Sequence, residues 1–411
     1  MSNPLRNSQD PVELRDALAD ELMKRGMITS PSVEHAVRTV PREQFAPEGT
    51  PLDEVYAPDK VLITKRDANG AAISSISAVY IQARMIDQVE PEPGMRVLEI
   101  GSGGYNAALI AEVVGPTGRV ISLDIDPEVA NRASARLEAT GYGRRVEVVV
   151  GDGEEGDPER APFHRIIVTA GLWDIPPALL AQLAPGGRIV LPMRMRGVTR
   201  TIAFRRGGGH LASTSTEVAG FVPVQGAGAH PGQAIHLPDI HGDITLEFED
   251  GLPEQSAALL DSVFSKGATE VWTGATVKHG VSFADLYLWL AWYLPGFCKV
   301  ATDVEESRLG KRYKTWFPFG SCQGDSFACL AARPALDGEG VEFGARGFGE
   351  HAEQVAACLA EQIQAWDRGP RHTEPTFAYW PNDADLSQMP QDVAVLRKKH
   401  GLLTISWPRT E

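Results

Sequence analysis

Apolar residues follow three successive rhythms along this chain. Up to about residue 89 they fall at helical spacing. Leu14, Leu18, Leu22, Met23 and Met27 share one face of a helix within residues 11–45. Ser30 or Ser32 stands where a second helix would be capped, and that helix should end near Val40-Pro41. Residues 78–89 predict a further amphipathic helix, closed by the turn Pro91-Glu92-Pro93-Gly94. From residue 96 short apolar runs alternate with helical stretches. Strands are expected at 96–100, 120–123, 146–150, 165–169 and 188–191, with helices at 106–114, 127–140 and 176–183. Gly115-Pro116-Thr117-Gly118 stops the first of these helices. Asp126 and Pro127 suit the cap and first position of the second. Strands that alternate with helices mean a parallel, doubly wound sheet, which binds ligands beyond the carboxyl ends of its strands.

After residue 226 the rhythm changes again. Residues 226–242 are rich in Gly, His and Pro and read as a linker or long loop. Short strands at 244–248, 270–273, 297–301, 327–331 and 402–407 then mix with helices at 254–263, 282–293, 350–365 and 391–399. The expected division is an N-terminal helical and substrate-loop region (1–78), an α/β Rossmann-like domain (79–225) and a C-terminal α+β domain (226–411).

Composition narrows the function. A chain of 411 residues exceeds one ordinary core. Its 43% hydrophobic and 23% charged residues are those of a soluble globular protein, with no apolar run of membrane-spanning length. Met1-Ser2-Asn3-Pro4-Leu5-Arg6 lacks the apolar segment of a signal peptide, so a cytoplasmic location is expected. A net charge of −15 argues against nucleic acid as a partner. The basic stretch 194–206 reads as a solvated strand pair. Cys298, Cys322, Cys329 and Cys358 form no Cys-x-x-Cys pair and find no suitably spaced His, so reduced thiols and no metal are expected. His230, His236 and His241 share a loop without metal-binding spacing.

The candidate chemistry lies in the middle region. Gly101-Ser102-Gly103-Gly104 follows a strand and precedes a helix, and glycine lets backbone approach a ligand closely. The dinucleotide fingerprint would need a third Gly where Asn106 stands, which argues against NAD and FAD. Asp124 ends the next strand, where a carboxylate accepts both ribose hydroxyls. Asp152 and Gly153 end the third, placed for an adenine amino group or a neighbouring amide. Singly, each is an ordinary strand-end turn; together they point to S-adenosylmethionine.

These stretches resemble the protein-L-isoaspartate O-methyltransferases. The similarity runs through Ser75-Ile76-Ser77-Ala78, Arg84-Met85, Val97–Gly101, Gly151-Asp152-Gly153-Glu154-Glu155-Gly156, Ile166-Ile167-Val168-Thr169-Ala170 and Gln182–Pro192. It covers roughly residues 10–225. The resemblance implies a class I methyltransferase fold that takes S-adenosylmethionine, releases S-adenosylhomocysteine and acts on a carboxylate of a protein or peptide carrying Asp or isoaspartate. The expected cofactor-binding residues are Ser75, Ile76, Glu99, Gly101, Ser102, Gly103, Asn106, Asp124, Ile125, Asp152, Gly153 and Thr169. Ser77 is the expected catalytic hydroxyl, its plainer reading being a helix N-cap. Asp59 matches the family's acidic residue ahead of the substrate loop and is the second expected catalytic residue, orienting the loop or the attacking amide, its plainer reading being a solvated loop Asp. Ser74 is a weaker candidate.

Three departures stand out. The glycine loop is one residue short of the family's Gly-x-Gly-Ser-Gly-Tyr. Ala78-Val79 replaces a proline-containing pair. Nearly two hundred residues follow the region of resemblance. Together they look like the divergent branch found beside ribosomally made, modified peptides such as lanthipeptides, lasso peptides and graspetides. That implies methylation of an Asp side chain, with collapse of the ester to an aspartimide. Repair of isoaspartyl residues in damaged proteins is the alternative, and a non-catalytic binding module a third. Tyr287, Trp289, Trp292 and Tyr293 on one helix, with Trp316, Phe317 and Phe319 on a loop, would be core or, if exposed, a peptide groove. The C-terminal domain is expected to recognise the peptide.

Overall fold

Strand Arg96–Ile100 carries apolar residues on both faces, and two separate cores explain why. Val97, Val120, Ile167 and Val190 enter one core; Leu98, Ile121, Ile166 and Ile189 enter the other. In this computed structural model, which describes residues 10–252 and 256–408, these positions belong to neighbouring strands of a ten-stranded sheet. Five strands run parallel in the spatial order Val146–Val150, Arg119–Asp124, Arg96–Ile100, Phe163–Val168, Leu183–Met195. The order reverses on either side of Arg96–Ile100, which creates a crevice at the carboxyl ends. Helices Pro11–Lys24, Pro31–Thr39, Val79–Val89 and Tyr105–Val114 supply the first core. Ser30 caps the second of these by accepting from the Val33 amide, and Asp126 caps helix Pro127–Ala139 by accepting from the Glu128 amide.

The sheet then continues antiparallel through Val198–Gly207, His210–Val218, Thr376–Pro381, Gly401–Ser406 and Ala394–Arg397. Residues that sequence placed in the C-terminal domain thus return to extend the first sheet. The helix expected at 391–399 is instead strand Ala394–Arg397, because Leu396 is buried, Val395 is exposed and the segment pairs with Gly401–Ser406. Period two wins once a partner strand is present.

The C-terminal portion forms a second, seven-stranded antiparallel sheet. Its edge strand Gln233–Leu237 occupies the stretch read as a linker, with Ile235 and Leu237 turned inward. The aromatic loop is strand Trp316–Gln323, and Trp316, Phe317 and Phe319 are buried in it. Trp292 is buried, and Tyr287, Trp289 and Tyr293 are half-buried against the same core, so these aromatics fill the interior. Helix Ala352–Arg368 covers this sheet through Val355, Leu359, Ile363 and Trp366. The helix expected at 254–263 falls partly outside the described residues, as do Met1 to Arg6; Ser256–Leu259 is helical.

The basic stretch is a strand pair that is solvated at Arg205 and Arg206, whereas its earlier arginines are engaged. Arg194 pairs with Glu249 at 2.8 Å, Arg196 with Asp250 at 3.3 Å, and buried Arg200 donates to the Ala284 carbonyl at 2.7 Å. These arginines join the two sheets. Cys298, Cys322 and Cys329 are buried free thiols, and burial pushes Cys329 up to about 12, where it is inert. Among the described residues no helix is long and apolar enough to cross a membrane, and no cluster of three His, Cys, Asp or Glu residues is arranged to hold a metal ion.

Candidate functional site

A cavity of about 460 Å³ opens at the carboxyl ends of the parallel strands. Its floor is the loop after Arg96–Ile100. Gly101 has a φ of +97°, and a Cβ there would stand 2.3 Å from Thr169 Oγ1, so both conformation and space demand glycine. Thr169 Oγ1 donates to the Ile100 carbonyl at 3.0 Å and ties the neighbouring strand to the loop.

Asp124 stands at one side of the floor. One oxygen accepts from the Ser102 amide at 2.8 Å and the other from the Asp126 amide at 2.9 Å. Each oxygen keeps a second lone pair, and the carboxylate lines the cavity. Burial raises its pKa, against the lowering by these amides.

Of the expected cofactor residues, Ser75, Gly101, Ser102, Gly103, Asp124, Ile125, Gly153 and Thr169 reach the cavity wall. Four do not. Ile76 is buried in the core, packed 3.6 Å from the position of a Cβ on Gly103. Glu99 and Asn106 lie buried beneath the loop, where the Asn106 amide donates to Glu99 at 2.8 Å and the Ser122 hydroxyl donates to its other oxygen. The Ser122 and Ser102 hydroxyls meet at 2.8 Å, so this network supports the glycine loop from below. Burial pushes Glu99 up to about 7, partly offset by those two hydrogen bonds. Asp152 turns away and accepts from the Glu154 amide at 2.9 Å and the Ala227 amide at 2.8 Å. It anchors the segment that leads to the C-terminal sheet.

The roof was not anticipated from sequence. Strands Leu62–Arg66 and Ala72–Ile76 form a hairpin whose Ile63, Ile73 and Ser74 face the cavity. Lys65 fastens it to the start of helix Pro127–Ala139 by pairing with Asp126 at 2.6 Å and Glu128 at 2.7 Å. Asp67-Ala68-Asn69-Gly70 between two β-prone runs was the available signal. Residues 220–225 close another side, and Gln225 donates to the Ile73 carbonyl at 3.2 Å.

At the mouth lie the two expected catalytic residues. Ser77 is half-buried in the wall, between the hairpin and helix Val79–Val89. Ala78 occupies the cap position and makes no side-chain cap, so Ser77 is not an N-cap. Its hydroxyl has no partner among the described residues. Asp59 also lines the mouth, but Arg25 holds both its oxygens at 2.8 and 3.0 Å. The Arg25 guanidinium lies 5.7 Å from the Tyr80 ring centre.

The arrangement suits an adenosyl ligand. The cavity has a small-molecule volume. Its floor is glycine backbone, its side carries a carboxylate for a diol, and its mouth presents a free hydroxyl donor.

Comparison with known proteins bears on this geometry. Residues 13–229 match the family described as Protein-L-isoaspartate(D-aspartate) O-methyltransferase (PCMT). The protein-L-isoaspartate O-methyltransferase of Methanopyrus kandleri is 43% identical over 180 residues, 44% of this chain and 76% of its own. That of Staphylothermus marinus is 41% identical over 219 residues, 52% of this chain and 94% of its own. A solved structure named protein-L-isoaspartate O-methyltransferase, 22% identical, matches with a TM-score of 0.50 over 89% of this chain and 96% of its own, which shows a common fold.

Proposed function

The chain belongs to the protein-L-isoaspartate(D-aspartate) O-methyltransferase family, and from that premise we propose that it methylates the free α-carboxylate of isoaspartyl residues in proteins, with Ser77 as the hydroxyl that holds the carboxylate. It is an S-adenosylmethionine-dependent protein carboxyl O-methyltransferase of class I fold. The observation that carries the reading of the site is the unpartnered Ser77 hydroxyl in the wall of the cavity that Gly101 and Asp124 line.

Gly101–Gly103 and Asp124 would hold S-adenosylmethionine, which would supply a methyl group on a positively charged sulfur. The acceptor carboxylate is already ionised at neutral pH, so the site needs no base. Ser77 donates to one acceptor oxygen and leaves the other free to attack. A neutral donor orients the carboxylate without the strong pairing of an Arg or Lys. Asp59, engaged by Arg25, shapes the mouth and takes no proton. Ile63, Ile73 and Phe221 form apolar wall that keeps water from the acceptor oxygen. Once the ester has formed, the next backbone nitrogen displaces methoxide and closes a succinimide.

Deeper in the chain, the seven-stranded sheet within residues 226–411 is a candidate peptide-recognition surface for the same substrate, tied to the loop beside the cavity by the Asp152–Ala227 bond. A carboxyl-terminal portion is no argument for a modified-peptide substrate, since the solved isoaspartate enzyme matches over 89% of this chain. An aspartate side chain in a ribosomally made peptide, closing to an aspartimide, keeps the shortened glycine loop and the Ala78-Val79 departure in its favour.

The decisive assay incubates the protein and S-adenosylmethionine with an isoaspartyl peptide and its normal aspartyl twin. A gain of one methyl on the isoaspartyl peptide alone is expected. Ser77→Ala should lower kcat by about a hundredfold while the methyl donor still binds. Methylation of neither peptide, with loss of one water from a modified precursor peptide, would move the function to the aspartimide reading. Wild-type kcat in Ser77→Ala would remove the serine from the site.

A further inference from the structure

Arg42 takes no part in the chemistry above, yet it is wholly buried on the turn Arg42–Gln44. Among the described residues no carboxylate is its partner. Nε donates to the Val55 carbonyl at 2.9 Å and Nη1 to Gln82 Oε1 at 3.1 Å. Nη2 donates to the Ser77 carbonyl at 3.0 Å and more weakly to the Lys60 carbonyl at 3.4 Å. The guanidinium also lies 4.8 Å from the ring centre of Tyr105.

These partners come from separate elements that converge on the site. Val55 and Lys60 bracket the turn that carries Asp59. Ser77 is the junction between the roof hairpin and helix Val79–Val89, and Gln82 lies on that helix. Tyr105 opens the helix that follows the glycine loop. One planar cation therefore ties the acceptor side of the cavity to the methyl-donor side.

A buried cation without a counter-ion is costly, and burial lowers its pKa to about 10. An apolar residue of similar volume would fill the space at less cost. What only a guanidinium supplies is several N–H donors in a rigid fork, which impose one arrangement on the carbonyls they meet.

We propose that Arg42 is a positioning residue for methyl transfer: by gripping the Ser77 carbonyl and both ends of the Asp59 turn, it sets the Ser77 hydroxyl at the distance from the donor pocket that transfer requires. The inference rests on the reading of Ser77 as the carboxylate donor. It assigns Arg42 an effect on turnover rather than on donor binding. Misplacement of a reacting group by about 1 Å costs roughly a hundredfold in rate.

The test compares wild type, Arg42→Met, Arg42→Lys and Gln82→Met. It measures kcat and KM on an isoaspartyl peptide, the Kd of S-adenosylmethionine and the unfolding midpoint. Assays run well below the lowest midpoint. Arg42→Met should lose about a hundredfold in kcat while the donor Kd changes less than about threefold. Arg42→Lys keeps the charge but not the fork, so it should stay close to Arg42→Met. Gln82→Met keeps the guanidinium and its backbone partners, and should lose less than tenfold. If Arg42→Met does not fold, Arg42→Lys and Gln82→Met carry the same comparison. Wild-type kcat in folded Arg42→Lys, or a fall in kcat that follows donor Kd in every variant, overturns the positioning role. Absence of methyl transfer by the wild type instead overturns the functional reading, and this proposal with it.

Discussion

Glu99 shows how a residue can support a cavity without lining it. The family resemblance places it among the cofactor contacts. Its side chain points inward because alternate residues of a strand face opposite ways, and only the next residues turn toward the crevice. There its hydrogen bonds to Asn106 and Ser122 hold the loop from below. Its pKa, raised by burial from 4.5 to about 7, carries a sign that can be tested. A raised carboxyl pKa means that the folded state retains the proton longer than the unfolded chain does. The associated stability is present in full below about pH 4.5 and is lost as pH rises through about 7, to a total of about 3 kcal/mol. Glu99→Gln should flatten that part of the profile. Urea unfolding of both proteins from pH 4.5 to 7.5 checks this, and parallel profiles would remove Glu99 as the source.

The roof hairpin is the element that most changes the picture. Its strands are short and irregularly paired, with register shifts at Lys65, and no long core face announces them. Ion pairs of Lys65 with Asp126 and Glu128 help to keep the hairpin over the cavity, beside the Gln225 bond to Ile73 and the buried Leu62 and Ile76. Asp126 and Glu128 lie at the start of the helix that follows Asp124, so the roof and the Asp124 side of the cavity are joined. Lys65→Met should raise the off-rate of S-adenosylmethionine several-fold, and salt should reduce the difference between wild type and variant, because the pairs are partly exposed and screened. Stopped-flow displacement at low and high salt measures it; an unchanged off-rate at low salt would leave the hairpin held by its own packing. The same dependence on partners explains the other misjudged elements. Gln233–Leu237 and Ala394–Arg397 are strands because neighbours pair with them, and Gly-rich or Lys-rich composition concealed both.

At the scale of the whole molecule, the two sheets are not separable as the sequence suggested. The match to the Staphylothermus marinus protein takes in 94% of that protein but 52% of this chain, so relatives exist without a comparable C-terminal portion. In this chain that portion has become structural. Thr376–Pro381 pairs with His210–Val218, and Leu191, Met193, Met195, Ile202 and Phe204 are buried in a core shared with helix Ala284–Tyr293. Lys398, almost wholly buried, donates to the Arg194 carbonyl at 3.0 Å across the same seam. A chain ending at residue 225 should therefore expose an unpaired strand edge and a large apolar face, and should aggregate rather than merely lose its peptide. Size-exclusion chromatography and thermal unfolding of the fragment decide it; a monomer that unfolds cooperatively and binds S-adenosylmethionine would show the halves to be independent. Recognition by the C-terminal domain is then better probed with point variants on its surface than by deletion.

Local order sufficed for the parallel strands, the capped helices and the glycine loop. Their signals are short-range: alternation or helical spacing of apolar residues, a capping Asp or Ser, a glycine where φ must be positive. The same locality made Gly101 and Asp124 legible, because each ends or follows a strand whose direction the pattern reveals, whereas Ser77 follows an unannounced strand and was marked only by the family resemblance. Tertiary structure alone decided which carboxylates face the cavity and which support its floor, and that the last strands return to the first sheet. It also placed Arg42 beneath the serine from a turn far away in the chain. Those outcomes depend on pairings and side-chain directions between distant segments, whose cost and gain appear only when the segments meet.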